Sequence, residues 1–198
     1  MRENFLRPPG TVGEWIADLL RVAGVLCIAV AAIGWTWTDA GIVALALPAL
    51  VAPKFIGVRA WFDIAYEVTV LVAAWSNVFD LYTTVVGWDL IVHFTLTGLS
   101  AALMYVLLAR ADIVALPGGR RAAPIVLATT MGLALSALWE MVEWIGWTLI
   151  GDDIFVAYQD SIGDMVAGGL GALAAGLLLS SVSVLRPDAD RLVARGTA

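Results

Sequence analysis

Six apolar stretches make up most of this 198-residue chain, near residues 16–37, 40–56, 60–79, 88–109, 122–149 and 160–185. A helix needs about 20 mostly apolar residues to cross the hydrocarbon core of a bilayer. Within that core each backbone N–H and C=O must be satisfied inside the protein, which leaves helices as the form such stretches take. The repetition predicts an all-α fold, a polytopic membrane helical bundle of six transmembrane helices. The 40–56 stretch is the weakest, because Pro48 interrupts it between Asp39 and Pro53. Composition excludes the alternatives. Apolar residues reach 61% and charged residues only 14%, against about 45–50% and about 25% in soluble domains, so a cytosolic globular enzyme, a coiled coil and a disordered chain are all ruled out. With 11 basic against 17 acidic residues, the charge balance is wrong for a nucleic-acid binder. Cys27 stands alone, so neither a disulfide framework nor a cysteine metal site can form.

The basic residues orient the bundle. If the N-terminus is inside, Arg2, Arg7, Lys54, Arg59, Arg110, Arg120, Arg121, Arg186, Arg191 and Arg195 all fall on the cytoplasmic face, with Arg21 at the inner edge of the first span. The loops at 38–39, 80–87 and 150–159 then carry no Lys or Arg, as the positive-inside tendency requires. The expectation is a single integral membrane domain over 1–198 with both termini cytoplasmic. Residues 10–21 read as an amphipathic lead-in at the inner interface, anchored by Trp15. The first span reads as a retained helix, since no small-residue cleavage site follows it. Trp35, Trp37, Trp75, Trp88, Trp144 and Trp147 fall near outer span ends, the pattern of an aromatic belt.

Ionisable residues inside a span are costly and mark functional sites. Three spans carry them in pairs at helical spacing. Asp89 and His93 stand at i and i+4, Glu140 and Glu143 at i and i+3, Asp160 and Asp164 at i and i+4. Residues three or four apart share a helix face, so each pair can point at a common centre in the outer third of the bilayer. Along the sixth span, Gly168, Ala172, Gly176 and Ser180 form one small-residue ridge, and Gly163, Ala167, Gly171 and Ala175 form another. Such ridges let helix backbones approach closely. Five carboxylates and one imidazole cannot all stay ionised together without cations, and no Lys or Arg is available at that depth. Two resolutions follow, shared protons or a bound metal. Oxygen ligands with one imidazole suit a divalent ion such as Mg²⁺, Mn²⁺, Ca²⁺, Zn²⁺ or Fe²⁺. The candidate metal ligands are His93, Glu140, Glu143, Asp164, Asp89 and Asp160, with Asp89 and Asp160 either completing the shell or serving as catalytic general base. Taken singly, Asp89 and Asp160 also read as residues favoured at a helix N-terminus. In the inner half, Asp63 is expected to pair with Arg59, and Glu67 with Arg21.

The ordered motifs W-D-L-I-V-H-F-T-L-T-G (88–98), A-L-W-E-M-V-E-W (137–144) and Q-D-S-I-G-D-M-V-A-G-G-L-G-A (159–172) resemble the YjdF-like family of bacterial inner-membrane proteins. That family shows Asp-x-x-x-His-Phe, then Glu-x-x-Glu-Trp, then Asp-x-x-x-Asp-Met. A looser likeness extends to VanZ-like proteins, which are linked to glycopeptide resistance. The resemblance covers roughly residues 85–175, the motif-bearing half, and Leu90 stands where these families often place Lys or Arg. It implies a multi-pass protein of a bacterial-type inner membrane and supports grouping the six polar residues. The chemistry then expected is a metal-dependent hydrolase or transferase acting on a membrane lipid or lipid-linked head group. The alternative is a transporter or channel for divalent cations or protons, in which Asp63 and Glu67 continue an acidic path.

Overall fold

The computed structural model describes residues 1–114, 122–149 and 157–189. Arg120, Arg121, Arg191 and Arg195 of the orientation argument lie outside the described residues. Among those described, the regular structure is helical apart from one isolated bridge. Eight helices follow in order: α1 (Arg2–Leu6), α2 (Val12–Gly34), α3 (Trp37–Ile56), α4 (Ala60–Val78), α5 (Leu81–Thr84), α6 (Trp88–Arg110), α7 (Ala122–Leu149) and α8 (Tyr158–Leu179). Five of them, α2, α3, α6, α7 and α8, are long and apolar enough to cross a membrane. The weak 40–56 stretch is among these five. The expected 60–79 stretch forms α4 but is not, because Asp63 and Glu67 sit in it beside Tyr66, Ser76 and Asn77. The expected lead-in at 10–21 does not lie apart from the first span, since α2 runs unbroken from Val12.

The chain forms two compact units. One comprises Met1–Val86, Arg110–Ile113 and Ser183–Ala198, and the other Gly87–Ala109 and Val114–Val182. In the first, α2, α3 and α4 pack on one another. Gly24 lets α2 approach α3 closely, for a Cβ there would lie 2.3 Å from Leu50 Cδ1. Helix α3 opens on a capping box, with Thr36 Oγ1 accepting from Asp39 N–H and the Asp39 carboxylate accepting from Thr36 N–H. Two orphan donors are satisfied at once. Its other end closes at Gly57, in the left-handed region at φ +84°, while Asn4 Nδ2 donates to the carbonyls of Phe55 and Ile56. Trp35, Trp75 and Phe79 form an aromatic cluster with centroid separations of 5.1–5.6 Å.

Arg21 organises the buried polar centre of this unit. Its Nη2 donates to Asp63 Oδ1 at 2.6 Å and meets Glu67 Oε1 at 3.0 Å, while Nη1 holds Asp18 at 2.9 Å. Lys54 Nζ donates to both oxygens of Asp18 at 2.7 Å, sharing Oδ1 with Arg21. The expected Glu67–Arg21 pair is present, but the expected Asp63–Arg59 pair is not. Arg59 Nε donates instead to the carbonyl of Leu185. There the backbone pairs Val58 with Leu185, and the N–H groups of Arg59 and Arg186 reach Val184 and Gly57 carbonyls. The apolar residues Val182, Val184 and Leu185 made the last span look longer than it is. Helix α8 stops at Leu179, not 185, and the Ser180 and Ser181 hydroxyls take up carbonyls of its last turn.

The second unit contains α6, α7 and α8, and its centre is small-residue packing. Ala101, Ala128 and Ala172 form the buried core. A Cβ on Gly132 of α7 would stand 2.1 Å from the Ala172 methyl of α8. One on Gly176 would stand 2.7 Å from Ile125 Cα. The ridge Gly168–Ala172–Gly176 thus faces α7, and its neighbour Gly171 faces α6, where a Cβ would lie 1.9 Å from the Phe94 carbonyl oxygen. Without side chains between them, the three backbones come near enough for short acidic side chains to meet.

Candidate functional site

Above that small-residue packing, α6 and α8 each begin with a polar turn. Gly87, at φ +75°, turns the chain into α6, so Asp89 lies in the first helical turn and His93 in the second. Helix α8 repeats the pattern, with Asp160 in its first turn and Asp164 in its second. His93 and Asp164 are buried, at 8% and 2% exposure. His93 Nε2 faces both acids, 3.3 Å from Asp89 Oδ1 and 3.9 Å from Asp164 Oδ2. One potential ligand atom from each of the three residues lies within 4.8 Å of the others. Ligand atoms at about 2.0–2.2 Å from a shared ion stand roughly 3–4 Å apart. The spacing therefore suits a divalent cation after small side-chain adjustments.

The other three candidates lie around this triad without entering it. Asp160 is partly exposed, and its charge acts on Asp89 and His93. Glu140 exerts its field on Asp164, and Glu143 on His93. Glu143 Oε1 accepts a hydrogen bond from the indole N–H of Trp139 at 2.8 Å. Sequence reasoning did not single out Trp139, although the spacing Trp139–Glu143, at i and i+4, was readable. Ser136, one turn before Glu140, does not form a nucleophile pair with His93 in the sequence reading, which assigns His93 to the metal. Ser136 is buried, its Oγ reaches the Asp164 carbonyl at 3.4 Å, and it occupies the space opposite Gly168 together with Thr97.

Charge compensation at the triad is incomplete. The N-terminal ends of α6 and α8 each contribute roughly half a positive charge, and the effect fades within the first turn. That supports Asp89 and Asp160 as helix-terminal residues and leaves Asp164, one turn deeper, with little benefit. Among the described residues, buried Asp164 Oδ1 and Glu140 Oε1 have no hydrogen-bond partner. A buried oxygen of this kind costs free energy unless a proton or cation meets it.

A family model described as a predicted membrane protein, DUF2238, matches residues 14–184. The chain belongs to that family. YjdF-like proteins are this family, so the resemblance carried by the three motifs holds, and the match extends well beyond 85–175 into the first three apolar stretches. No curated protein and no solved structure matches the chain. The family is described as a predicted membrane protein, and five helices of the chain are long and apolar enough to cross a membrane.

Proposed function

We propose that this DUF2238 protein holds a divalent cation between α6 and α8 and uses it to act on the head group of a lipid or lipid-linked substrate, by hydrolysis or group transfer. One observation carries the reading: His93 Nε2 faces Asp89 and Asp164 within metal-ligand range while buried Asp164 Oδ1 has no hydrogen-bond partner among the described residues. Three ligands leave coordination positions open for substrate and water, as metal catalysis needs. In this reading Glu143, which accepts from the Trp139 indole N–H, or Asp160 takes a proton from that water. Glu140 supplies a further carboxylate for a second ion or a proton.

The topology that goes with this reading has α4 as a sixth span, both termini cytoplasmic and the site toward the outer leaflet of a bacterial-type inner membrane. A substrate whose tail stays in the bilayer then presents its head group at the site. The transport alternative leaned on Asp63 and Glu67 as an acidic path. Both are held by Arg21, an arrangement that serves structure and leaves that alternative without its main support.

Metal analysis of the protein purified without chelators is the direct test. The proposal expects about one divalent ion per chain or more, lost in His93→Ala and in Asp164→Asn. Protein that is isolated without a divalent ion and takes up none when Mn²⁺ is added overturns it. Where metal is present, turnover of an added lipid extract supports the enzyme, ion flux into proteoliposomes supports transport, and neither activity leaves a metal that only staples helices together.

A further inference from the structure

Beside the polar cluster, α6 and α8 flank a shallow, open groove of about 300 Å³ lined by Leu90, Ile91, Phe94, Ala167 and Leu170. We propose that this groove receives one acyl chain of the substrate lipid, with Asp160 at its mouth. The inference rests on the lipid head-group reading above and names where the rest of that substrate lies.

Helix geometry ties the groove to the site. Ala167 follows Asp160 by seven residues, two turns on the same face, so it lies roughly 10 Å further along α8. Gly163 stands between them, and its missing side chain leaves the surface open, since a Cβ there would only just touch Leu90 Cδ2 at 3.5 Å. The Ala167 methyl is the smallest group of the lining, while Leu90, Ile91, Phe94 and Leu170 stand out, each 41–55% exposed. On α6, Leu90 directly follows Asp89, so the groove begins at the level of the metal-ligand candidates.

The chemistry divides the same way. A cation among carboxylates attracts a phosphate or other anionic head group, whereas a groove lined only by apolar side chains accepts hydrocarbon and nothing charged. Its volume is at the lower end of small-molecule pockets, which suits one chain and not a whole lipid.

The test uses the intact protein in phosphatidylcholine vesicles doped with phosphatidylglycerol that carries a diazirine midway along one chain. After photolysis, labelled residues are mapped by peptide mass spectrometry, and metal content is measured on the same sample. The expected result is labelling of Leu90, Ile91, Phe94, Ala167 and Leu170 several-fold above the exposed apolar residues Val22, Val25 and Leu26 of α2. Ala167→Phe fills the groove and should reduce its labelling to the α2 level. Equal labelling of groove and α2, or a groove signal unmoved by Ala167→Phe, overturns the inference. Enriched groove labelling in a metal-free protein sustains the groove and removes the metal-dependent reading; bound metal with uniform labelling removes the groove alone.

Discussion

Gly171 meets Phe94 with no space for a methyl group: a Cβ on Gly171 would lie 1.9 Å from the Phe94 carbonyl oxygen. A backbone atom cannot swing aside as a side-chain end can. The α6–α8 separation is thus set at Phe94, the residue next to His93, on one helix and two turns beyond Asp164 on the other. Fold and site share one constraint here.

Gly171→Ala should therefore act on both. Overpacking costs typically about 1–3 kcal/mol, and a clash with backbone belongs at the upper end. The variant should melt earlier in detergent and bind a divalent ion more weakly, as followed by thermal unfolding with and without added Mn²⁺. Gly41→Ala is the control. Nothing lies within 4 Å of its Cβ position, and losing a helical glycine is worth roughly 0.5–1 kcal/mol in stability, so its melting point should hold or rise.

Removing a ligand should separate binding from folding. Asp164→Asn keeps the shape of the side chain and replaces a buried carboxyl group whose Oδ1 has no hydrogen-bond partner among the described residues. Stability of the metal-free form should stay level or improve, while affinity for Mn²⁺ should fall by more than the about 10–100-fold typical of losing an outer-shell partner. Electron paramagnetic resonance of titrated Mn²⁺ reads this directly. Unchanged affinity would remove Asp164 from the ligand set.

The helices were largely legible in the sequence from their apolar length, and several of their starts carry polar residues suited to a helix N-terminus. Thr36 with Asp39 opens α3, and the polar turns at Asp89 and Asp160 open α6 and α8. The pairing of acids on one face followed from helical period alone. What escaped was tertiary choice. Arg59 is one turn from Asp63, but its guanidinium is taken by the Leu185 carbonyl, leaving Asp63 to Arg21 of another helix. Val184 and Leu185 count as apolar in any hydropathy window, yet they are buried outside a helix, beside a backbone pairing with Val58. Spacing also could not distinguish the triad from the acids around it, because that depends on which side chains reach one point in space.

Arg21→Met should be among the most damaging single substitutions in the first unit. Glu67 is fully buried and Asp63 nearly so, and Arg21 is the cation that contacts both. Stripping one partner from a buried ion pair costs about 3–5 kcal/mol, whereas replacing the whole group by neutral side chains is often close to neutral. The triple variant Arg21→Met, Asp63→Asn, Glu67→Gln should recover much of the loss. Unfolding of the single and triple variants side by side checks this, and equal damage in both would show that the cluster does more than balance charge.

Trp139→Phe tests whether Glu143 works on substrate or merely completes a charge pattern. The indole N–H is the described donor to Glu143 Oε1, and Trp139 is 46% exposed, so phenylalanine keeps an aromatic surface, smaller than the indole, and deletes the donor. Metal stoichiometry should be unaffected, because neither residue belongs to the Asp89–His93–Asp164 triad. A proton acceptor that loses its orienting hydrogen bond samples other rotamers, and general base catalysis contributes roughly 10²–10⁴-fold to a rate. Turnover of the lipid substrate should then fall by about tenfold at constant KM, a fraction of the full effect because Glu143 itself remains. Glu143→Gln should remove the remainder. If Trp139→Phe instead lowers metal content, Glu143 is a ligand, and the base must be sought at Asp160.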